Sequence, residues 1–248
     1  MRVFGDILDF LRSGILRDTE DNPYLWGNEV LCECISQAHD TFAERTLCIR
    51  DSTSAAASIQ LVAGTSVYTL HTAVLAVLSA KLEGAEFNLV RASSSAFDGY
   101  VPPPDVVQWL ESVNYGATQP GTPEAYTTDD GVDGADGAAT IRVWPTPAAA
   151  DDTHMLLLRV VRLPLVQCSV DTLEERPECP RQSLIALAHG AAAIAYGLQD
   201  ADGNDDPRSE KQRVIFERYI EDAKRATRHK LFAPLGWGFG RGGFSHSR

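Results

Sequence analysis

Histidine, cysteine and clustered aspartate are the side chains most able to bind metals or act as nucleophiles, and here their spacing argues against both. The six histidines are His39, His71, His154, His189, His229 and His246, and no two lie within helical reach of one another. Zinc needs three or four converging ligands, so His39, five residues after Cys34, reads as a helix-surface or core histidine. The five cysteines are an odd number, and Cys32 and Cys34 are two apart. On a helix that spacing sends them to nearly opposite sides, which is neither a zinc knuckle nor a redox pair. They read as reduced thiols of a cytoplasmic product. In DDGVDGADG, Asp130, Asp133 and Asp136 recur at every third position. An EF-hand loop alternates its acids and closes on a bidentate Glu, so this run reads as a solvated hairpin loop. DADGNDDP reads in the same way as an interhelix turn with an Asp cap. No G-x-S-x-G elbow, Walker loop or H-E-x-x-H occurs, and Gly238-Phe239-Gly240 is not completed by Arg241-Gly242-Gly243. Nothing singles out a catalytic pair of carboxylates. The expectation is a chain without catalysis, cofactor or metal.

Charge bounds the partners. The chain has 248 residues, 34 acids against 22 bases and a formal net charge of −12. Nucleic-acid binders usually present a basic face, so stable DNA binding is not expected, while transient contact held off by repulsion is compatible with it. No run reaches the roughly 18 apolar residues of a membrane span. The closest, residues 184–198, is shorter and carries His189. The start, MRVFGDILDFLRSG, has acids at Asp6 and Asp9 and reads as an amphipathic helix, not a signal peptide. Acids and bases are also segregated. Residues 129–136 and 200–206 are acidic blocks, whereas from Lys224 onward there are six Lys or Arg and no acid.

The elements follow from periodicity. Val3, Phe4, Ile7, Leu8 and Leu11 predict a short helix ended by Ser13-Gly14, then a polar linker over 17–23. Asn28 is expected to cap a long helix to about Ile49, with Leu31, Cys34, Ile35, Ala38, Phe42 and Ile49 as its stripe. From 58 to 164 the period changes to that of short strands: SIQLVAG, SVYTL, VLAVLSAKL, FNLVRA, EAYTT, ATIRVW and THMLLLRVVRL. Residues 105–113, with Trp109, suggest a short helix among them. Helix returns after Pro177, with Pro180 in a first turn and Leu184, Leu187, Ala191, Ile194 and Leu198 as the stripe. The small residues around that stripe predict close helix approach. Asp206-Pro207 opens a last helix with Ile215, Phe216, Tyr219, Ile220 and Ala223 inward, and its basic end suits the macrodipole. The expected fold is α+β: a helical bundle from both chain ends (1–52 and 175–232) with an inserted antiparallel β-sandwich or barrel (53–174).

Residues 233–248 form the remaining piece, an extended arm, APLGWGFGRGGFSHSR, within the chain's final HKLFAPLGWGFGRGGFSHSR. Gly236, Gly238, Gly240, Gly242 and Gly243 each cost a helix roughly 1 kcal/mol, and the segment has too little apolar volume for a core. Trp237, Phe239 and Phe244 read as anchors of a segment that orders on binding, with Phe232, Lys230, Arg241 and Arg248 beside them. A frayed terminus is the plainer alternative.

Several phrases in this order resemble the head-to-tail adaptor (connector) proteins of tailed bacteriophages. They are Trp26 before a helix with Leu31, Ile35 and Ala38 on one face; Ala63-Gly64-Thr65-Ser66-Val67-Tyr68-Thr69-Leu70; Gly121-Thr122-Pro123-Glu124-Ala125-Tyr126; and Trp144-Pro145-Thr146-Pro147 ahead of the strand 156–163. Two C-terminal helices close the pattern, which spans about Trp26 to Phe232. The resemblance implies a virion neck protein without catalysis, made in the host cytoplasm. Its partners would be the portal protein, the tail or next neck component, and its own copies in a ring, usually twelve-fold, with DNA only in transit and no membrane. It places the arm's groove on the portal. Two other classes stay open on sequence alone: a tail-tube or tail-terminator protein, and an enzyme or carbohydrate-binding module using the β part.

Overall fold

The computed structural model describes residues 2–18, 25–92, 120–129, 139–151, 153–198 and 206–231. It is mixed helix and sheet, in the α+β class. The chain divides into two units, Met1–Cys48 with Gln167–Arg248, and Ile49–Val166.

In the first unit, α1 (Phe4–Asp9) buries Phe4, Ile7 and Leu8. The Asp6 carboxylate accepts from the N-cap backbone N–H of Val3 at 3.4 Å, which satisfies one of the donors a helix start leaves open, and from the preceding N–H of Arg2 at 2.5 Å. Ser13-Gly14 does not end this helix as its residue types suggest. The chain runs on as a π-helical turn, Phe10–Leu16, and stops at Arg17, whose φ of 57° is left-handed. Ser13 Oγ donates to the Asp9 carbonyl at 2.6 Å. A Cβ at Gly14 would lie 3.1 Å from the Phe10 ring. That glycine therefore makes room for an aromatic side chain instead of breaking the helix.

The long helix α2 is Asn28–Thr46. Leu31, Cys34, Ile35, Ala38 and Phe42 are buried as the stripe predicts. Asn28 is not the cap. Gly27 holds that position, and Asn28 Oδ1 accepts from Arg12 at 2.7 Å. Nor does α2 reach Ile49: Leu47 turns left-handed at φ 51°. Cys32 and Cys34 are both 2% exposed, so α2 is enclosed on more than one side. A 3-10 turn, Arg181–Ser183, follows Pro180 and leads into α3 (Leu184–Gly197). The last helix, α4, is Asp206–Leu231 and buries Phe216 and Ile220.

These helices pack on α3 through its small residues, among them Ala186, Ala188, Gly190, Ala191, Ala192 and Ala195, all buried. At Gly190 an added Cβ would meet Ala38 Cβ of α2 at 2.9 Å and the Phe216 ring of α4 at 3.0 Å. Gly190→Val is therefore expected to destabilise by about 1–3 kcal/mol through overpacking, against a smaller gain from removing a helix-interior glycine. Thermal melting checks this, and an unchanged or raised midpoint would contradict it.

The second unit holds two four-stranded sheets. In one, β8 (Met155–Arg162) is central. It pairs antiparallel with β4 (Val74–Leu82) along most of its length, and with β1 (Arg50–Asp51) and β2 (Ser58–Gln60). Because Leu156, Leu157, Val160 and Val161 of β8 pair with β4 as well, β1 and β2 share its opposite edge. In the other sheet the order is β3 (Val67–Thr69), β7 (Thr140–Trp144), β6 (Ala125–Asp129), β5 (Val90–Arg91).

The sequence predicts an antiparallel sandwich or barrel, and two points differ. The sheets are separate, with no closed barrel among the described residues. The β5–β6 pair is parallel, Val90 against Ala125. Parallel neighbours need a connection of about a dozen residues or more, and the long stretch 92–124 supplies it. One core serves both sheets. Leu156, Leu158 and Val160 of β8 join Val77, Ala80 and Leu82 of β4, with Tyr68, Tyr126, Ile141 and Val143 from the other sheet. Gly64, at φ 78°, makes the turn that the glycine phrase before β3 predicts. The Tyr68 hydroxyl then closes that loop by donating to the Thr65 carbonyl at 2.8 Å. The suggested helix at 105–113 lies outside the described residues.

Candidate functional site

The reactive side chains are placed where they do little chemistry. Among the described residues, no group of three or more His, Cys, Asp or Glu is placed to hold a metal ion. The two acidic blocks fall mostly outside those residues. Burial raises the cysteine thiols: Cys34 to about 11, Cys179 to about 12, and Cys168, beside Cys32, upward as well. Such thiols stay protonated at neutral pH and are poor nucleophiles.

His39 is fully buried on α2, with its ring 6.1 Å from that of Phe4 in an edge-on contact. Burial holds its pKa below the ordinary 6.5, and the Glu178 backbone and the Asp40 charge only partly oppose this. The unfolded chain therefore takes up the proton first. The stability tied to a neutral His39 is complete above pH 6.5 and lost as pH falls below it. His39→Leu is expected to flatten the fall in melting temperature between pH 7 and pH 5. Equal slopes in both proteins would contradict this.

Of the residues predicted to bind a partner, Lys230 lies in the last turn of α4, where only the backbone is described. Phe232, Trp237, Phe239, Arg241, Phe244 and Arg248 lie outside the described residues. What the structure does show is how the helix leading to the arm is fixed. Arg45 of α2 grips Glu217 with two hydrogen bonds, at 2.5 and 2.7 Å. Ser209 Oγ donates to the Ala193 carbonyl at 2.7 Å. His189 of α3 meets Gln212 Oε1 at 2.6 Å and stacks on Tyr219 at 6.0 Å. With Phe216 and Ile220 buried, these contacts set the register of α4 on α2 and α3.

The same helices build a cleft of about 480 Å³ that the sequence does not announce. Phe10, Gly14, Ile15, Leu16 and Arg17 of the π-helical turn and its cap form one wall, His189 and Tyr196 of α3 the floor, and Arg208, Lys211, Gln212 and Ile215 of α4 the other wall. Tyr196 is anchored from both sides. Its hydroxyl donates to the Ile15 carbonyl at 3.1 Å, and its ring meets Trp26 edge-on at 5.8 Å. The Arg208 guanidinium sits over the Tyr196 ring at 5.9 Å from its centre. Arg17 and Lys211 are exposed on the two walls, and among the described residues no carboxylate lines the cleft. In a chain of net charge −12 this is a local positive site for an anionic group. His189, on the floor, is tied to Gln212 of the opposite wall. Sequence reading places Arg17 in a linker and singles out neither Arg208 nor Lys211, because only folding brings them together.

No curated protein matches the chain. The SU10 adaptor protein family model matches residues 4–237, which takes in both units and the arm as far as Trp237. A match over that share of the chain agrees with a structural virion component. The chain belongs to the SU10 adaptor protein family of phage head-to-tail adaptors.

Proposed function

We propose that the protein forms an oligomeric ring, twelve-fold in symmetry, that joins the portal vertex of the head to the tail or next neck component and leaves a channel for DNA. The family match over residues 4–237 carries this reading. Charge supports it. Identical subunits in a ring meet through two different faces, and this chain separates acidic blocks at 129–136 and 200–206 from a basic stretch after Lys224. A channel that passes DNA also gains from a wall that does not hold phosphate, since each Lys or Arg contact adds affinity, and the net charge of −12 suits that. The arm is the portal-binding element, with Trp237, Phe239 and Phe244 as anchors and Lys230, Phe232, Arg241 and Arg248 supporting them. The family match favours this neck role over a tail-tube, enzymatic or carbohydrate-binding one.

Like-charged subunits repel at low and moderate salt, so the free protein is expected to sediment as a monomer or weak oligomer at cytoplasmic ionic strength. Mixed with purified portal rings, it is expected to co-sediment in a fixed ratio. Portal rings that sediment unchanged at saturating protein would overturn the reading.

A further inference from the structure

We propose that the cleft formed by the π-helical turn, α3 and α4 receives an acidic loop from a neighbouring copy of this chain, the 129–136 run between β6 and β7. This rests on the ring reading above and names the contact that would close it. The cleft contributes two exposed cations, Arg17 and Lys211, beside the anchored ring of Tyr196, which Arg208 already covers, and among the described residues no carboxylate lines it. The run DDGVDGAD supplies Asp129, Asp130, Asp133 and Asp136 without a single base. Its root is fixed: β6 and β7 pair antiparallel as far as Asp129 against Thr140, so the run joins two hydrogen-bonded strands.

A second copy is favoured as the source because of the symmetry of a ring. A head-to-tail contact needs two unlike, complementary patches on one chain, and these two are complementary in charge. The net charge of −12 opposes approach at long range, so a contact between copies has to concentrate opposite charges locally. The small cleft suits one or two carboxylate side chains better than a folded partner.

The test is zero-length carbodiimide coupling, which joins an amine only to a carboxylate in direct contact. Full-length protein is prepared as an equal mixture of nitrogen-14 and nitrogen-15 forms and loaded on portal rings; concentrated free protein is treated in parallel. The expected product joins Lys211 to Asp130, Asp133 or Asp136 in isotopically mixed peptides. It should vanish in Lys211→Arg, which keeps the charge but removes the amine, while assembly persists. Arg17→Glu with Lys211→Glu should weaken association between copies by about tenfold, and Asp130→Lys with Asp133→Lys should restore it. Circular dichroism verifies that each variant is folded.

Coupling of Lys211 to Asp200, Asp202 or Asp205 within one chain would show that the chain's own linker covers the cleft, and would overturn the proposal. So would rings that assemble with unchanged affinity after the double charge reversal. Mixed-isotope coupling in free protein without any loading on portal would keep this contact and remove the ring-on-portal reading, so the two failures are distinguishable.

Discussion

Asp51→Ala is expected to cost the Ile49–Val166 unit about 3–5 kcal/mol, because it strands a buried guanidinium. Strand alternation puts Arg162 on the same face of β8 as Leu156, Leu158 and Val160, all of which are buried. A cation there needs a partner. Arg162 Nε donates to Asp51 Oδ2 at 2.6 Å, with both side chains less than a tenth exposed. The guanidinium also donates to the Leu163 carbonyl at 3.0 Å. The other Asp51 oxygen accepts from the backbone N–H groups of Thr53 at 2.9 Å and Ser54 at 3.1 Å. The pair ties the first strand of the unit to its last, across the points where the chain enters and leaves.

Burial by itself would raise the Asp51 carboxyl, but hydrogen bonds from Ser54, Thr53 and Arg162 prevail and hold it well below its ordinary 3.8. With the folded value depressed, the contribution is complete above about pH 4 and is lost as pH falls below that. Urea unfolding at pH 7 checks the magnitude, and acid titration checks the direction. A loss under about 1 kcal/mol would show the pair to be dispensable. Replacing both members with apolar residues of similar size should cost far less than either single change.

Deleting residues 234–248 is expected to leave the fold intact and abolish docking on the portal. The deleted piece has few side chains able to fill a core, and α4 is already held upstream by Phe216, Ile220 and the Arg45–Glu217 pair. Docking depends on anchors. Buried Trp and Arg dominate interface energies, often at about 2 kcal/mol or more each. Trp237→Ala and Arg241→Ala should therefore each weaken binding by at least tenfold, with circular dichroism and melting unchanged. If Lys230, Arg241 and Arg248 act on an acidic portal surface, binding should also fall as salt rises, because exposed charges are screened within about 8 Å at physiological ionic strength. Truncated protein that loads with full affinity would reduce the arm to a frayed end.

What is legible in the sequence is local. VLAVLSAKL is the strand β4, residue for residue, and the stripe from Leu31 to Phe42 is the buried face of α2. The small residues of α3 announce its close packing. Features set by distant neighbours are not legible. Gly14 looks like a helix stop until the Phe10 ring is seen over it, and Asn28 looks like a cap until Arg12 claims its side chain. The two-residue strand β1 is too short to show a period, and the parallel β5–β6 pairing joins residues 35 positions apart without a local signal. Asp51 and Arg162 are 111 positions apart, and Arg17 is farther still from Arg208 and Lys211. A charge at an inward strand position is the one clue available, and it points to the need for a partner without naming Asp51. The arm is readable only as composition.

As a ring component, this chain would sit on the portal. Electron microscopy of purified portal rings incubated with the full-length protein tests it most directly. The expected image is an added coaxial ring of density below the portal with an open central channel, absent when residues 234–248 are deleted. Bare portal rings at saturating protein, with the protein dispersed as single subunits in the same field, would contradict it.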